Sequence, residues 1–251
     1  MVILDNMSQE VVDLFWTLCG EKQSFPRKIE RAIALAVPLA ILKLPRLSLQ
    51  TVESWLAFRG IRFDFGCENR SICGCLIAFR GHGFIFVDGT DPENEQRFTI
   101  AHELAHFLVD YWLPRNRALK KFGSGVADVI DGLRAASITE RFHALVEETP
   151  IGIYHDLMER DVDRVMNQAL VEIENRADCI AFNLLAPTDD ILARLKFGDS
   201  SSFDHRVKEL GDVLTEHFGL PDRIASHYGR SLLLEIGQGP YWVESLGFNR
   251  F

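Results

Sequence analysis

The most constraining stretch of the chain is Arg97 to Leu108, RFTIAHELAHFL, where His102, Glu103 and His106 stand among Phe98, Ile100, Ala101, Leu104, Ala105, Phe107 and Leu108. On a helix, apolar residues at all these positions leave no solvent-facing side, so the two histidines and the glutamate are expected to be buried. Buried groups of this kind need partners. The pattern is His-Glu-x-x-His, which puts His102 and His106 one turn apart on one helical face, able to reach a single ion. Zinc suits imidazole nitrogen, and a hydrolytic site takes three protein ligands and keeps one position for water. Glu103 lies beside that face, where it can accept a proton from the water without occupying the metal. The competing reading is a satisfied pair of core histidines beside a surface glutamate.

A third ligand must come from elsewhere, because Val109 and Trp112 stand where an extended motif would place Gly and His. In Glu174 to Pro187, ENRADCIAFNLLAP, the residues Glu174, Ala177, Asp178, Ala181 and Leu185 share a face at three-four spacing. Small Ala177 and Ala181 would allow close approach to another helix. Glu174 is then the expected metal ligand, and Asp178 the acceptor of a proton from the second nitrogen of a ligand histidine. Without the upstream motif, the same acids would suit an amphipathic surface helix. Glu172 is the nearest competitor, but it points about 160° away from Glu174 on an ideal helix.

The two stretches resemble the ImmA/IrrE family of metallopeptidases, which carry Arg-Phe-Thr-x-Ala-His-Glu-x-x-His and, later, Glu-x-x-Ala-Asn/Asp-x-x-Ala-x-x-Leu-Leu-x-Pro. The resemblance covers about residues 50 to 110 and 170 to 235. It implies a zincin-like α+β fold, His102, His106 and Glu174 as zinc ligands and Glu103 as general base. It also implies a protein substrate, such as a repressor with a helix-turn-helix domain. The stretch between His106 and Glu174 is longer than the family pattern expects, so residues 115 to 165 read as an insertion that could cover, select for or block the cleft.

The expected architecture is α+β and mainly helical, with a small antiparallel or mixed sheet beside the motif helix. Residues 8 to 58 read as helical, including a buried helix through the apolar Ala32 to Leu42, and form an N-terminal segment, 1–58. Alternation at Ile61, Phe63 and Phe65 predicts a strand, and Ile72 to Phe79 with Phe84 to Val87 predicts a hairpin. Asp91 and Pro92 are placed as N-cap and first-turn proline of the motif helix, which Pro114 should end. Residues 138 to 186 read as helical segments, the last at about 167 to 186. The core is thus 59–190, and a C-terminal helical segment, 191–251, has helices near 204 to 218 and after Pro221. The edge of the Phe84 to Asp88 strand is a candidate for pairing with an extended substrate.

A net charge of -9 argues against a broad phosphate-binding surface, and the helix-turn-helix look of Leu214 to Leu233 comes with only Arg223 and Arg230 as basic residues. Direct nucleic-acid binding is therefore not expected. No apolar stretch approaches the roughly 20 residues of a membrane span, and Asp5 and Glu10 stand where a leader would be basic. Five cysteines, Cys19, Cys67, Cys73, Cys75 and Cys179, lack Cys-x-x-Cys spacing, which suits a reducing cytoplasm. Cys73 and Cys75 read as packed small side chains. For the oxyanion, His143, Tyr154, His155, His205, His227 and Tyr228 are all conceivable donors. Two other functions fit the same residues: a regulatory binding module with a structural zinc site, and an amidase or deaminase acting on a small molecule.

Overall fold

The computed structural model describes residues 4–21, 24–140, 149–160, 168–195 and 202–240. It is an α+β fold in which a four-stranded mixed sheet lies against the motif helix. The strands are β1 (Leu39–Leu44), β2 (Ile72–Phe79), β3 (His82–Asp88) and β4 (Tyr154–Glu159), in the order β1-β3-β2-β4. β1 runs parallel to β3, while β2 pairs antiparallel with both β3 and β4. The expected hairpin is present: β2 and β3 are joined by Arg80 and Gly81, both with positive φ, as a tight two-residue turn requires.

The sheet separates two apolar clusters because side chains alternate across it. Leu76, Ala78, Ile85 and Val87 point to the face covered by helix α4 (Glu93–His106), whereas Cys75, Ile77 and Phe86 face helix α3 (Leu49–Phe58). Helix α3 starts with a reciprocal cap: Ser48 accepts from the Thr51 N–H, and Thr51 accepts from the Ser48 N–H. The α4-side cluster is the larger. It takes in α1 (Asn6–Cys19), α2 (Ile29–Ala36), α7 (Gln168–Leu185), α9 (Phe203–Glu216) and α10 (Asp222–Glu235).

Six expectations need correction. Ala32 to Leu42 is not one helix: α2 ends at Ala36, and β1 follows Pro38. Its Leu- and Ala-rich sequence favours helix locally, but pairing with β3 overrides that preference. Ile61, Phe63 and Phe65 do alternate toward the α3-side cluster, yet they have no ladder partner and form no strand. Residues 154–159 are strand instead of helix, for the same tertiary reason as β1.

Asp91 does not cap α4; Pro92 holds the N-cap position, and Asp91 instead pairs with Arg160. Nor does Pro114 stop the chain. A π-helical turn, Phe107–Trp112, links α4 to α5 (Leu113–Phe122), with the Leu113 N–H reaching back to the Leu108 carbonyl. The widened turn removes the hydrogen bond and the clash that a proline would cause in a regular helix. Finally, β3 lies inside the sheet between β1 and β2, so the Phe84 to Asp88 edge is not open to a substrate.

Between these elements stand a 3-10 turn (Ser124–Val126), α6 (Ala127–Ile130) and, after α7, the short α8 (Thr188–Leu192). Helices α9 and α10, the predicted C-terminal pair, bury Leu214, Tyr228 and Leu232 in the α4-side cluster, joined by Phe218 from the turn between them. Among the described residues no helix is long and apolar enough to cross a membrane. All five cysteines are free. Cys75 is buried, while Cys73 stands where the β2–β4 register shifts.

Candidate metal centre

Helix α4 is buried on almost every side, between the sheet and α7. His102 is 3% exposed, and Glu103 and His106 are fully buried. The first turn of α4 carries Glu93 and Glu95, the favourable sign for a helix N-terminus. Gln96 there donates to the Asp91 carbonyl, tying the helix start to the loop after β3. Ala177 and Ala181 are buried in the same cluster as α4, as expected from their size, and Phe98 packs against Phe182, which stacks on Tyr228.

That close approach brings Glu174 and Asp178 to the two histidines. Glu174 Oε2 lies 3.3 Å from His102 Nε2 and 3.9 Å from His106 Nε2. Asp178 Oδ1 pairs with His102 Nδ1 at 2.8 Å. Two further acids join the group without having been expected. Asp110 pairs with His106 Nδ1 at 2.9 Å and is itself bound by Arg176 at 2.6 Å. Asp156, on β4, puts Oδ2 3.5 Å from His106 Nε2. The Asp110 contact is at the four-residue spacing of a helix face, a signal the sequence did carry. Asp156 had none, because its strand was read as helix.

The donor chemistry fits a cation. When neutral and giving Nδ1–H to these carboxylates, the imidazoles keep lone pairs on both Nε2 atoms, which lie 3.2 Å apart. Two lone pairs at that distance repel unless something positive lies between them. His102, His106, Asp156 and Glu174 can each offer one atom, all within 4.8 Å of one another. A tetrahedral ion bound at about 2.0–2.1 Å separates its donors by about 3.3 Å, close to the 3.2, 3.3 and 3.5 Å seen here. Both Glu103 oxygens and Asp156 Oδ2 are buried without a hydrogen-bond partner, as expected of groups that face an ion or its water.

The electrostatics agree. Burial pushes the Glu103 carboxyl up to about 8, with Asp156 adding to the rise and the two imidazoles opposing it. Burial also raises Glu174, but its contacts with His102 and His106 outweigh that and hold it at about 2. Burial lowers His106, yet Asp110 and Glu174 bring it to about 9. His102 is likewise raised, burial being overcome by Asp178 and Glu174. The field is that of a site built to hold positive charge.

Glycine makes the fit possible. A Cβ on Gly74 of β2 would strike Thr99 Cγ2 and stand 3.0 Å from Glu103 Oε1, so only glycine lets the glutamate lie against the sheet.

Residues 64–125 match the family model Peptidase_M78, described as an IrrE N-terminal-like domain. Over these residues the chain is similar to that family. The match takes in β2, β3 and the whole of α4, so His102, Glu103 and His106 fall within the matched segment. Asp156, Glu174 and Asp178 lie beyond the Peptidase_M78 match and enter the site through geometry. No curated protein matches the chain.

Of the proposed oxyanion donors, Tyr154 alone among the described ones stands near the cluster. Burial and the carboxylates of Asp110, Asp156, Glu103 and Glu174 push its phenol well up. His155 is exposed beside Phe63 and Phe65, His205 and His227 are exposed, and Tyr228 is buried against Phe182. His143 lies outside the described residues. A cavity of about 500 Å³ lined by Ala118, Phe122, Val129 and Ile130 contains none of the cluster residues, so it is not the reaction site.

Proposed function

We propose that the chain is a zinc-dependent peptidase that cleaves a protein partner, with His102, His106 and Glu174 as ligands and Glu103 as general base. The observation that carries this reading is the pair of Nε2 atoms 3.2 Å apart, with Glu174 beside them and a buried Glu103 carboxyl that has no hydrogen-bond partner. A zinc ion in that position would polarise a carbonyl and bring the pKa of water to about 7. Glu103, buried and raised, accepts the proton and can hand it on to the leaving amine. Asp178 and Asp110 keep the two rings in the tautomer that turns Nε2 inward. The partner we propose is a repressor with a helix-turn-helix domain, supported by the family resemblance, and the location is cytoplasmic, supported by five free cysteines.

The test is metal content and cleavage together. Wild type should keep about one zinc per chain through dialysis, the stoichiometry of a single three-ligand site. His102→Ala and Glu174→Ala, both folded, should lose it. Glu103→Gln should keep the metal and lose peptide hydrolysis; cleavage that survives this change sinks the mechanism.

One observation favours a second reading. Asp156 completes a four-residue donor set, and closed four-ligand sites are those of structural zinc. A regulatory module without hydrolysis would then show the same cellular effect with Glu103→Gln as with wild type.

A further inference from the structure

Hydrolysis requires a coordination position that the protein does not fill. A metal held by His102, His106 and Glu174 would keep one, and Asp156 lies beside these residues: its Oδ2 is 3.5 Å from His106 Nε2, has no hydrogen-bond partner and belongs to a side chain only 15% exposed. An acid held beside Glu103 and Glu174, with only the His106 ring at 3.5 Å to offset it, is costly unless a further cation balances it.

The strand that delivers Asp156 occupies a second place that a substrate needs. β4 lies antiparallel along β2, from Tyr154 opposite Ala78 to Glu159 opposite Ile72, with Asp156 opposite Leu76. β2 is also the strand whose Gly74 leaves room for Glu103, since a Cβ there would stand 3.0 Å from Glu103 Oε1. Its outer edge therefore runs past the catalytic carboxylate, which is where an extended peptide would pair with the sheet. In this fold the chain's own segment fills that edge.

β4 differs from its neighbours in ways that suit a removable strand. None of its six residues is fully buried, whereas β2 and β3 are mostly buried. It lies beyond the 64–125 family match. Its charged contacts lie at one end, where Arg70 grips Glu159 through two hydrogen bonds and Arg160 bridges Asp88 and Asp91, while ladder pairing and the packing of Tyr154, His155 and Leu157 hold the rest.

We propose that Asp156 and β4 form a built-in inhibitor: Asp156 takes the water position on the metal, β4 takes the peptide position on β2, and turnover requires β4 to leave. This rests on the metallopeptidase reading above. The extended segment of a protein partner that displaces β4 on β2 would then be both activator and substrate.

The test uses the full chain loaded with cobalt, whose absorption reports coordination, and acetohydroxamate as a small anionic probe. The wild-type spectrum should not respond to the probe. Asp156→Ala should retain cobalt on its three remaining ligands and shift on adding hydroxamate, and its zinc form should gain hydrolysis of unfolded casein over wild type. Asp156→Asn, which keeps the shape of the strand, guards against misfolding and should shift in the same direction. A wild-type spectrum that already responds, or folded variants that cannot hold metal, overturns the proposal. Variants that open to hydroxamate but cut no casein uphold the closure and instead overturn the peptidase reading.

Discussion

His102 and His106 turn their Nε2 atoms toward each other at 3.2 Å while their Nδ1 atoms are held by Asp178 and Asp110. On the proposed metal site, the two carboxylates would decide which nitrogens are free for the ion. Asp178→Asn and Asp110→Asn should each weaken zinc binding by about 10–100-fold, read by competition with a chromophoric chelator. The Asp110 change should be the larger, because it also strands Arg176. Unchanged affinity in both would mean that the rings are oriented by packing alone.

Gly74 sets the seat of Glu103. Gly74→Ala should cost about 1–3 kcal/mol, the usual penalty for overpacking, because its new methyl group meets Thr99 and Glu103. With Glu103 as the proposed base, hydrolysis should fall further than stability explains, since its carboxyl is pushed off line. Urea unfolding and peptide hydrolysis measured on the same preparation would separate the two effects; a variant as stable and active as wild type would show that β2 and α4 are not so closely locked.

Asp88 joins the sheet to β4's anchor. Its carboxylate accepts from the backbone N–H groups of Arg46, Leu47 and Thr90, from the Thr90 hydroxyl and from Arg160. Burial pushes its pKa up, but these bonds outweigh burial and leave it below the usual 3.8. A depressed folded pKa stabilises the fold above the unfolded value, and this stability is lost as pH falls below about 4. Asp88→Ala should cost on the order of 3 kcal/mol at neutral pH by orphaning buried donors. It should also flatten the loss of stability between pH 4 and pH 3, measured by denaturant titration.

Metal removal should destabilise the folded chain. Glu103, Asp156 and Glu174 crowd one another without a balancing ion, and an ion at 100 times its dissociation constant adds about 2.7 kcal/mol. Chelation should lower the melting temperature and zinc should restore it. Asp156→Asn should melt higher than wild type in chelator, because it removes a buried, unpartnered negative charge. An unchanged melting temperature on chelation would argue against an ion at these residues.

The sequence by itself determined the motif helix, the β2–β3 hairpin and the face of α7 that carries Glu174 and Asp178. Each is written in local terms, as apolar spacing, a turn dipeptide or a four-residue repeat, and local periodicity survives folding. What only the tertiary structure decided is β1, β4 and the π-helical turn. Leu39–Leu44 and Tyr154–Glu159 have no strong preference for strand, and they become strands because β3 and β2 offer unpaired edges. Asp156 could not be read as part of the site for the same reason: its place beside His106 follows from a pairing between residues far apart in the chain, and such pairings leave no period in the sequence.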